Sequence, residues 1–156
     1  MNMSSVRSLI CAATALVMLA ACGTNPGLRD AERLALYRAH AGAPVNSFQY
    51  FGRINGWTPL GDSALAVTTR PNQAYLLELT GSCPNLEFAS AIRISNQFGR
   101  VHARFDKVHV LDRNAIDFPC HIEQIRPVDT SALRQAEREM RESVEMAERA
   151  QEPGGT

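Results

Sequence analysis

The sequence predicts an α+β fold that is mainly β: a small antiparallel sheet that curls into a partly open barrel or sandwich. A short helix precedes this sheet and a long amphipathic helix follows it. Apolar and polar residues alternate in six or seven short segments between residues 47 and 128, at spacings of 8–15 residues. Turn residues separate these segments, and stretches with helical spacing flank them on both sides.

The first 21 residues have the layout of a secretory signal peptide. Arg7 supplies a positive charge, an apolar run follows from residue 8 to residue 21, and small residues end it. This run is too short to span a bilayer, which needs about 20 apolar residues. It closes on Leu19-Ala20-Ala21-Cys22, which resembles the lipobox of bacterial lipoproteins. In that signal the cysteine is lipidated and becomes the first residue of the mature chain.

The lipobox resemblance implies that acyl chains on Cys22 attach the protein to a membrane. Because Gly23 rather than an aspartate follows the cysteine, the resemblance further implies the periplasmic face of the outer membrane. A soluble secreted protein is the alternative, since small residues also precede the cleavage sites of such proteins. Residues 22–28 contain Gly, Asn and Pro and are expected to form a short flexible tether.

Charge composition gives no sign of a polyanionic partner. The chain has 16 basic and 16 acidic residues, so it lacks the basic footprint of a nucleic-acid-binding protein. It also shows no polybasic patch for anionic lipid. After removal of residues 1–21, the remaining chain has the size of one domain. We therefore expect a single domain with no nucleic-acid partner.

Cysteine usage predicts one disulfide. Cys11 leaves with the signal peptide and Cys22 is used for lipid, so Cys83 and Cys120 remain. Two cysteines in an oxidising envelope compartment are expected to pair. Closing a loop of this length stabilises the fold by about 4 kcal/mol in the chain-entropy model. The prediction is a disulfide-stapled domain over residues 29–128.

A helix is predicted over residues 29–41, before the first strand. Leu34 and Tyr37 are three residues apart, and Ala31, Ala35 and Ala41 extend the same face. Gly42 and Pro44 end the helix.

Two β-hairpins are predicted next. The first joins residues 48–54 to residues 57–60 through Asn55-Gly56, the dipeptide typical of tight hairpin turns. Pro59 marks its second strand as an edge strand. The second hairpin joins residues 65–69 to residues 75–79, where Leu, Val and Tyr alternate on matching parity.

The rest of the β region is predicted from shorter signals. Residues 86–95 are interpreted as a turn followed by a strand, and residues 96–100 as a loop around Gly99. A further strand is expected over residues 108–111. The last strand contains Ile122 and Ile125 and is expected to end at Pro127.

A C-terminal helix is predicted over residues 129–150, followed by a disordered tail over residues 151–156. Asp129, Thr130 and Ser131 are all suitable N-cap residues. The apolar stripe of this helix is narrow and consists of Leu133, Ala136, Met140, Val144 and Ala147. Such a stripe suits a contact with one partner helix, so Leu133, Met140 and Val144 are candidate partner-binding residues. Packing of the helix on its own domain is the alternative.

One aromatic residue is a second binding candidate. Trp57 directly follows a predicted hairpin turn, where exposure would let it contact a partner. Burial in the core is the alternative, because a small domain needs large side chains to fill it.

No catalytic motif is present, and no metal or other cofactor is expected. The chain lacks a G-x-S-x-G elbow and a C-x-x-C redox motif. His102, His109 and His121 lack the paired spacing of zinc ligands. Residues 112–117 loosely resemble a calcium loop but lack its central glycine and distal glutamate.

The β region is similar to a family of small, functionally uncharacterised bacterial envelope lipoproteins. The similarity lies in four motifs: Gly56-Trp57-x-Pro59-Leu60, Ala74-Tyr75-Leu76-Leu77 before Gly81-x-Cys83, Phe105-Asp106-x-Val108, and Cys120-x-Ile122-x-x-Ile125-x-Pro127-Val128. It covers about half of the chain. The resemblance implies a β-rich fold and pairing of Cys83 with Cys120, and it implies no activity.

These observations together favour a non-enzymatic, lipid-anchored protein of the cell envelope that acts as a binding or assembly module. Its partner would be another envelope protein or the cell wall. Two alternatives stay open: a carrier of a small ligand in an apolar barrel cavity, and an envelope enzyme whose active-site residues are dispersed in sequence.

Overall fold

The computed structural model describes residues 26–111 and 118–151. These residues form two α-helices, eight strands and one 3₁₀ turn. In chain order they are α1 (Pro26–Ala39), β1 (Ser47–Gln49), β2 (Gly56–Pro59), β3 (Ala64–Arg70), β4 (Gln73–Leu79), the 3₁₀ turn Leu86–Phe88, β5 (Ile92–Ile94), β6 (Arg100–His102), β7 (Lys107–Val110), β8 (Pro119–Val128) and α2 (Thr130–Gln151).

Six strands form one curled antiparallel sheet in the order β2-β3-β4-β8-β7-β5. The remaining two, β1 and β6, form a separate antiparallel pair. The sheet curves into a half-barrel, with a short helix before it and a longer helix after it. The predicted fold class is therefore confirmed.

Apolar residues on the two faces of the sheet form two separate cores. On β3, Leu65 and Val67 belong to the first core, which also contains Phe48 of β1 and Val101 of β6. The alternate residues of the same strand pack into the second core, together with Leu34 of α1 and Leu133 of α2. Because Ala64, Ala66 and Ala74 supply small side chains there, the helices can approach the sheet closely. The pair β1–β6 thus fills one face, and the two helices cover the other.

The hairpin predicted over residues 65–79 is confirmed. β3 and β4 pair antiparallel, with Leu65 opposite Leu77 and Val67 opposite Tyr75. Asn72 in the turn has a φ of 64°, a left-handed conformation that asparagine tolerates better than most residues.

The first predicted hairpin, by contrast, is wrong. β1 pairs with β6 rather than with β2, and β2 pairs with β3. Neither Asn55 nor Gly56 has a positive φ, which a type I′ turn requires at both central positions. Local turn propensity was outweighed by burial, because Phe48 of β1 enters the first core beside β6. The expectation that Pro59 lies on an edge strand is nevertheless confirmed, since β2 is the first strand of the sheet.

Some boundaries and one helix face also differ from expectation. α1 begins at Pro26, which suits a first helical position because its missing N–H would be unpaired there anyway; the helix therefore includes the last part of the predicted tether. Leu36 is half-buried against the second core whereas Ala31 and Ala35 are exposed. β6 lies partly in the segment expected to be a loop.

β8 continues through Pro127 to Val128 instead of ending at the proline. The carbonyl of Pro127 accepts a hydrogen bond from the backbone N–H of Gly42, at 2.8 Å. The nitrogen of Pro127 consequently points away from β4, so its missing N–H costs no hydrogen bond of that ladder. In the part of the chain that the structure describes, we find no helix with the length and hydrophobicity of a membrane span.

Candidate functional site

A groove between α1 and α2 contains two of the sequence-predicted site residues. It has a cavity volume of about 730 Å³. Leu36 and Tyr37 of α1 line it from one side, and Met140 and Val144 of α2 line it from the other; its remaining lining residues are Arg33, Glu137, Arg141 and Glu145.

The start of α2 is attached firmly to the domain. Asp129 is its N-cap: the carboxylate oxygen Oδ1 accepts hydrogen bonds from the backbone N–H groups of Ser131 and Ala132, both at 3.0 Å. These bonds, that of Ala132 first, hold the pKa of Asp129 below its ordinary value. One turn later, Leu133 is buried in the second core. The predicted helix is therefore present, and its first turn packs on its own domain.

Further along α2 the apolar stripe emerges from the core. Met140 and Val144 are 50% and 52% exposed, and both line the groove. Met146 is 63% exposed but does not line it. Of the three candidate partner-binding residues of α2, Leu133 is therefore part of the core, whereas Met140 and Val144 lie on an accessible surface.

Charges of both signs border the groove. Arg33 lies on α1, and Glu137, Arg141 and Glu145 lie on α2. Burial, together with the nearby carboxylate of Glu137, raises the pKa of Tyr37 above its ordinary value. The groove therefore combines an apolar floor with a mixed polar rim, the usual layout of a protein-binding surface.

Trp57 lies elsewhere. It stands on edge strand β2 opposite Val67 and packs, half-buried, against the first core. Its neighbour Thr58 points to the other face, where it lines a shallow pocket together with Tyr37 of α1. The structure therefore does not bring Trp57 together with the α2 candidates. The packing of its side chain favours the alternative, in which Trp57 contributes to the core.

Cys83 and Cys120 form the predicted disulfide, with their Cα atoms 5.5 Å apart. Both side chains are buried, at 0% and 8% exposure. The bond joins the segment after β4 to the beginning of β8, so it has a structural location within the first core. Cys22, the candidate lipidation site, lies outside the described residues.

The sequence analysis did not predict a cluster of polar residues around Asp106. The side chain of Asp106 is 2% exposed, and it is the only buried charged side chain among the described residues. Its Oδ1 accepts a hydrogen bond from the hydroxyl of Ser95, at 2.7 Å, and its Oδ2 accepts one from the backbone N–H of His102, also at 2.7 Å. The imidazole Nδ1 of His102 lies 3.5 Å from Oδ2. In the sequence, only the motif Phe105-Asp106-x-Val108 pointed to this cluster, and the family resemblance assigns no function to that motif.

His102 borders a second cleft, of about 480 Å³, between the segment 44–46, the turn 102–105 and residues 123–125 of β8. The imidazole Nδ1 of His102 is buried and has no hydrogen-bond partner among the described residues, so the ring lies beside the carboxylate of Asp106 without a hydrogen bond to it. The residues that line this cleft include Arg104 and Glu123 but no hydroxyl or thiol nucleophile.

The other histidines do not join this cluster as metal ligands. His109 lies opposite Arg93 and Pro119, and His121 lies opposite Lys107. In residues 26–111 and 118–151, no three His, Cys, Asp or Glu side chains group together in a way that would hold a metal ion. The calcium-like segment 112–117 lies outside the described residues.

Comparisons with known proteins give a family but no activity. No curated protein matches the chain. No solved structure matches it either. A model of a family of unknown function, DUF6491, matches residues 5–144 and thus spans the sheet, both cysteines of the disulfide and most of α2. The chain therefore belongs to this family of unknown function (DUF6491).

Proposed function

We propose that this protein is a non-enzymatic, lipid-anchored binding module of the cell envelope, held at the periplasmic face of the outer membrane through Cys22. In this proposal the groove between α1 and α2 binds an amphipathic helix of another envelope protein. The observation that carries the proposal is that Met140 and Val144 remain half exposed on a helix whose start is capped and buried. The fold does not need these side chains for its core.

The chemistry of the groove favours a helix as its occupant. Two neighbouring helices leave a furrow into which the side-chain ridges of a third helix pack. The apolar floor suits the narrow apolar face of such a helix. Arg33 and Arg141, with Glu137 and Glu145, suit the alternating charges on its flanks.

The anchor is tested on the full chain, expressed with its N-terminal segment in a bacterial host. We expect the mature N-terminal peptide to begin at Cys22 and to carry acyl chains by mass spectrometry. Cys22→Ser should abolish both acylation and membrane retention, whereas the control Cys11→Ser should change neither. An unmodified mature N terminus in the parent protein would contradict the lipid anchor.

The groove is tested by photocrosslinking in intact envelopes. A photoreactive residue at Val144 should crosslink to a helical segment of one envelope protein, and Met140→Glu should abolish that product. The same photoreactive residue at Met146, which is 63% exposed against 52% for Val144 but lies outside the groove, is the matched control. The proposal fails if both positions give the same products, or if the crosslinks from Val144 lead only to cell wall or to a second copy of this chain. Point variants are preferable to truncation at residue 130, because truncation also removes the buried Leu133.

The cleft beside His102 favours a second candidate function, binding of a small ligand. The supporting observation is the imidazole at 3.5 Å from the buried carboxylate of Asp106, at the wall of a cavity that Arg104 and Glu123 also line. A ligand in the cleft would shift the NMR signals of the His102 ring and would lose affinity in His102→Ala. If a screen of small acids, amines and sugars shifts no signal of His102, this second candidate is withdrawn.

A further inference from the structure

Two exposed phenylalanines and one arginine lie together at the end of the sheet where β3 turns into β4. Phe98 is fully exposed, and Phe51 is 61% exposed. The guanidinium carbon of Arg70, the last residue of β3, lies over the Phe51 ring, 5.1 Å from its centre. At this distance the cation is attracted to the face of the ring. Phe51 is thus joined to the turn between β3 and β4.

Strand pairing brings Phe98 to the same place. The backbone N–H of Tyr50 donates to the carbonyl of Gly99, at 2.8 Å, and so extends the ladder of β1 and β6 by one pair. The next residues across this ladder are Phe51 and Phe98. Because Tyr50 packs into the first core, its neighbour Phe51 points away from that core. We refer to Phe51, Arg70 and Phe98 as the tip patch.

The backbone of Phe98 has a conformation that phenylalanine seldom adopts. Gln97 and Arg100 exchange two backbone hydrogen bonds, of 2.8 and 3.0 Å. The two residues between them have positive φ angles, 51° for Phe98 and 75° for Gly99. This is a type I′ turn, in which asparagine, aspartate or glycine is usual at the first central position. A bulky residue there is strained, and the exposed ring gains no burial in return, so the strain points to a role outside the domain.

The three segments that form or flank the tip patch contain basic residues and no acidic ones. Residues 47–58, 64–77 and 93–105 contain no Asp or Glu, and their arginines are Arg53, Arg70, Arg93, Arg100 and Arg104. The neutral charge of the whole chain hides this local excess, because the acidic residues are concentrated elsewhere, most densely on α2.

Helix α2 meets this end of the sheet on the other face. Arg134 donates a hydrogen bond to Oδ1 of Asn72, in the turn between β3 and β4. Glu137 lines a pocket there together with Ala66, a residue of the second core. The carboxylate of Glu137 therefore lies on the face that the helices cover, whereas Phe51 follows β1 on the opposite face. The tip patch thus presents apolar rings with positive charge, which suits an anionic partner.

The tip patch lies at the end of the sheet opposite to the start of α1. A Cβ built on Gly61, just before β3, would lie 3.7 Å from the Cβ of Asp30 on α1. The seven residues of β3 then carry the chain about 20 Å to Arg70. Only four residue steps, at most about 14 Å, separate Cys22 from Pro26. A lipid on Cys22 would therefore hold the start of α1 near the membrane and direct the tip patch toward the cell wall.

We propose that the tip patch binds the cell wall, as a glycan that carries peptides with free carboxylates. Sugar rings stack their apolar C–H faces on Phe51 and Phe98, and the carboxylates pair with Arg70. Arginine binds carboxylates through paired hydrogen bonds. A turn that projects from the domain suits a flexible polymer, which can lie along both rings. The orientation of the tip patch rests on the lipid anchor proposed above, whereas its binding chemistry does not.

The test is co-sedimentation of the purified full chain, in detergent, with purified cell-wall sacculi. We expect the parent to bind, and Arg70→Gln to bind about tenfold more weakly because charged hydrogen bonds are lost. Arg138→Gln, the same change of charge at an exposed position of α2, is the matched control and should bind like the parent. Conversion of the carboxylates of the sacculi to amides should weaken binding by about the same factor. Equal binding by the two variants, or by sacculi before and after this conversion, would refute the proposal.

The variant Phe98→Asn separates binding from stability. Asparagine tolerates the left-handed conformation, so this variant should melt at a higher temperature than the parent while it binds sacculi more weakly. Phe88→Ser, which replaces a phenylalanine that is 84% exposed outside the tip patch, should bind like the parent. A lower melting temperature of Phe98→Asn would assign Phe98 to the fold, and unchanged binding would remove its ring from the site; either result overturns the proposal.

Photocrosslinking identifies the partner in intact envelopes. A photoreactive residue at Phe98 should crosslink to the cell wall. Crosslinks to phospholipid or to protein, without any to the cell wall, would overturn the proposal. Because sedimentation with sacculi requires no membrane, failure of the tip patch is distinguishable from failure of the anchor, which is measured by the acyl chains on Cys22.

Discussion

The ring of Phe48 stacks on the ring of Tyr75, with centroids 4.5 Å apart and an angle of 17° between the planes. Phe48 belongs to β1, in the two-stranded pair, whereas Tyr75 belongs to β4, in the main sheet. The contact therefore joins the two sheets across the first core. It also explains why β1 lies over the half-barrel instead of pairing with the next strand in sequence.

We expect Phe48→Ala to lower the free energy of unfolding by about 3–5 kcal/mol, because it leaves a cavity in the first core. The exposed Phe98→Ala should change it by less than about 0.5 kcal/mol. Urea denaturation followed by circular dichroism measures both. A double-mutant cycle with Tyr75→Leu should give a coupling of about 0.5–1.5 kcal/mol; equal effects of the two phenylalanine variants would show that the stack does not hold the sheets together.

Removal of the disulfide should lower the free energy of unfolding by about 4 kcal/mol, since it frees a loop of this length in the unfolded chain. The bonded residues are 37 positions apart. The measurement is denaturation of the parent and of Cys83→Ala/Cys120→Ala, each with and without reductant. The parent alone should respond to reductant. An equal response of the double variant would mean that the stabilisation comes from another source.

Asp129→Ala should lower the melting temperature at neutral pH, because two backbone N–H groups at the start of α2 lose their acceptor. The pKa of Asp129 is lowered in the folded state from its ordinary 3.8, so its contribution is fully present above that value. The contribution is lost as the pH falls through the lowered pKa. Thermal melts between neutral and strongly acidic pH should therefore converge for parent and variant. The control Asp129→Asn keeps an acceptor and should lose less stability at neutral pH; a difference that persists at acidic pH would contradict the role of the ionised cap.

Asp106→Ala should lower the free energy of unfolding by about 3 kcal/mol, because it removes the acceptor of two partly buried hydrogen bonds. Ser95→Ala removes one of these donors and also the acceptor of the backbone N–H of Lys107, at 2.9 Å, so it should cost about 2 kcal/mol. Chemical denaturation compares them. If Asp106→Ala is no more costly than Ser95→Ala, the carboxylate does not organise the turn between β6 and β7.

Leu133→Ala should lower the free energy of unfolding by about 2–5 kcal/mol, because Leu133 fills the second core. Val144→Ala should change it by less than about 0.5 kcal/mol, because Val144 is half exposed. Denaturation gives the stability, and crosslinking from a photoreactive residue at Met140, which also lines the groove, gives partner binding. We expect partner binding to be lost in Val144→Ala without loss of stability; a large loss of stability would instead assign Val144 to the fold.

Local hydrophobic patterns predicted a helix or strand correctly where the folded structure buries the same residues that the pattern marks as apolar. The alternation on β3 and β4 gave the correct pairing, because the register of that hairpin depends on residues that are close in sequence. The hairpin predicted at Asn55-Gly56 was wrong. A local turn signal competes with strand pairings between residues that are distant in sequence, such as Ser47 with His102. The boundaries at Pro26 and Pro127 differed because proline is tolerated wherever its missing N–H has no partner to lose.

Burial on the second face of the sheet was likewise a tertiary effect. Ala64, Ala66 and Ala74 are weak signals in sequence, and they become core residues only because α1 and α2 cover them. The cluster of Ser95, His102 and Asp106 could not be predicted for the same reason, since three separate segments bring its members together.

By itself, the amino-acid sequence determined the mainly β class, the central hairpin, the pairing of Cys83 with Cys120 and the two flanking helices, because each follows from composition or short-range periodicity. Only the tertiary structure decided that β1 pairs with β6, that Leu133 is buried while Met140 and Val144 line a groove, and that the carboxylate of Asp106 is buried beside Ser95 and His102. These relationships depend on contacts between distant segments. Such contacts arise from the competition of apolar surfaces for burial across the whole chain, which no local pattern records.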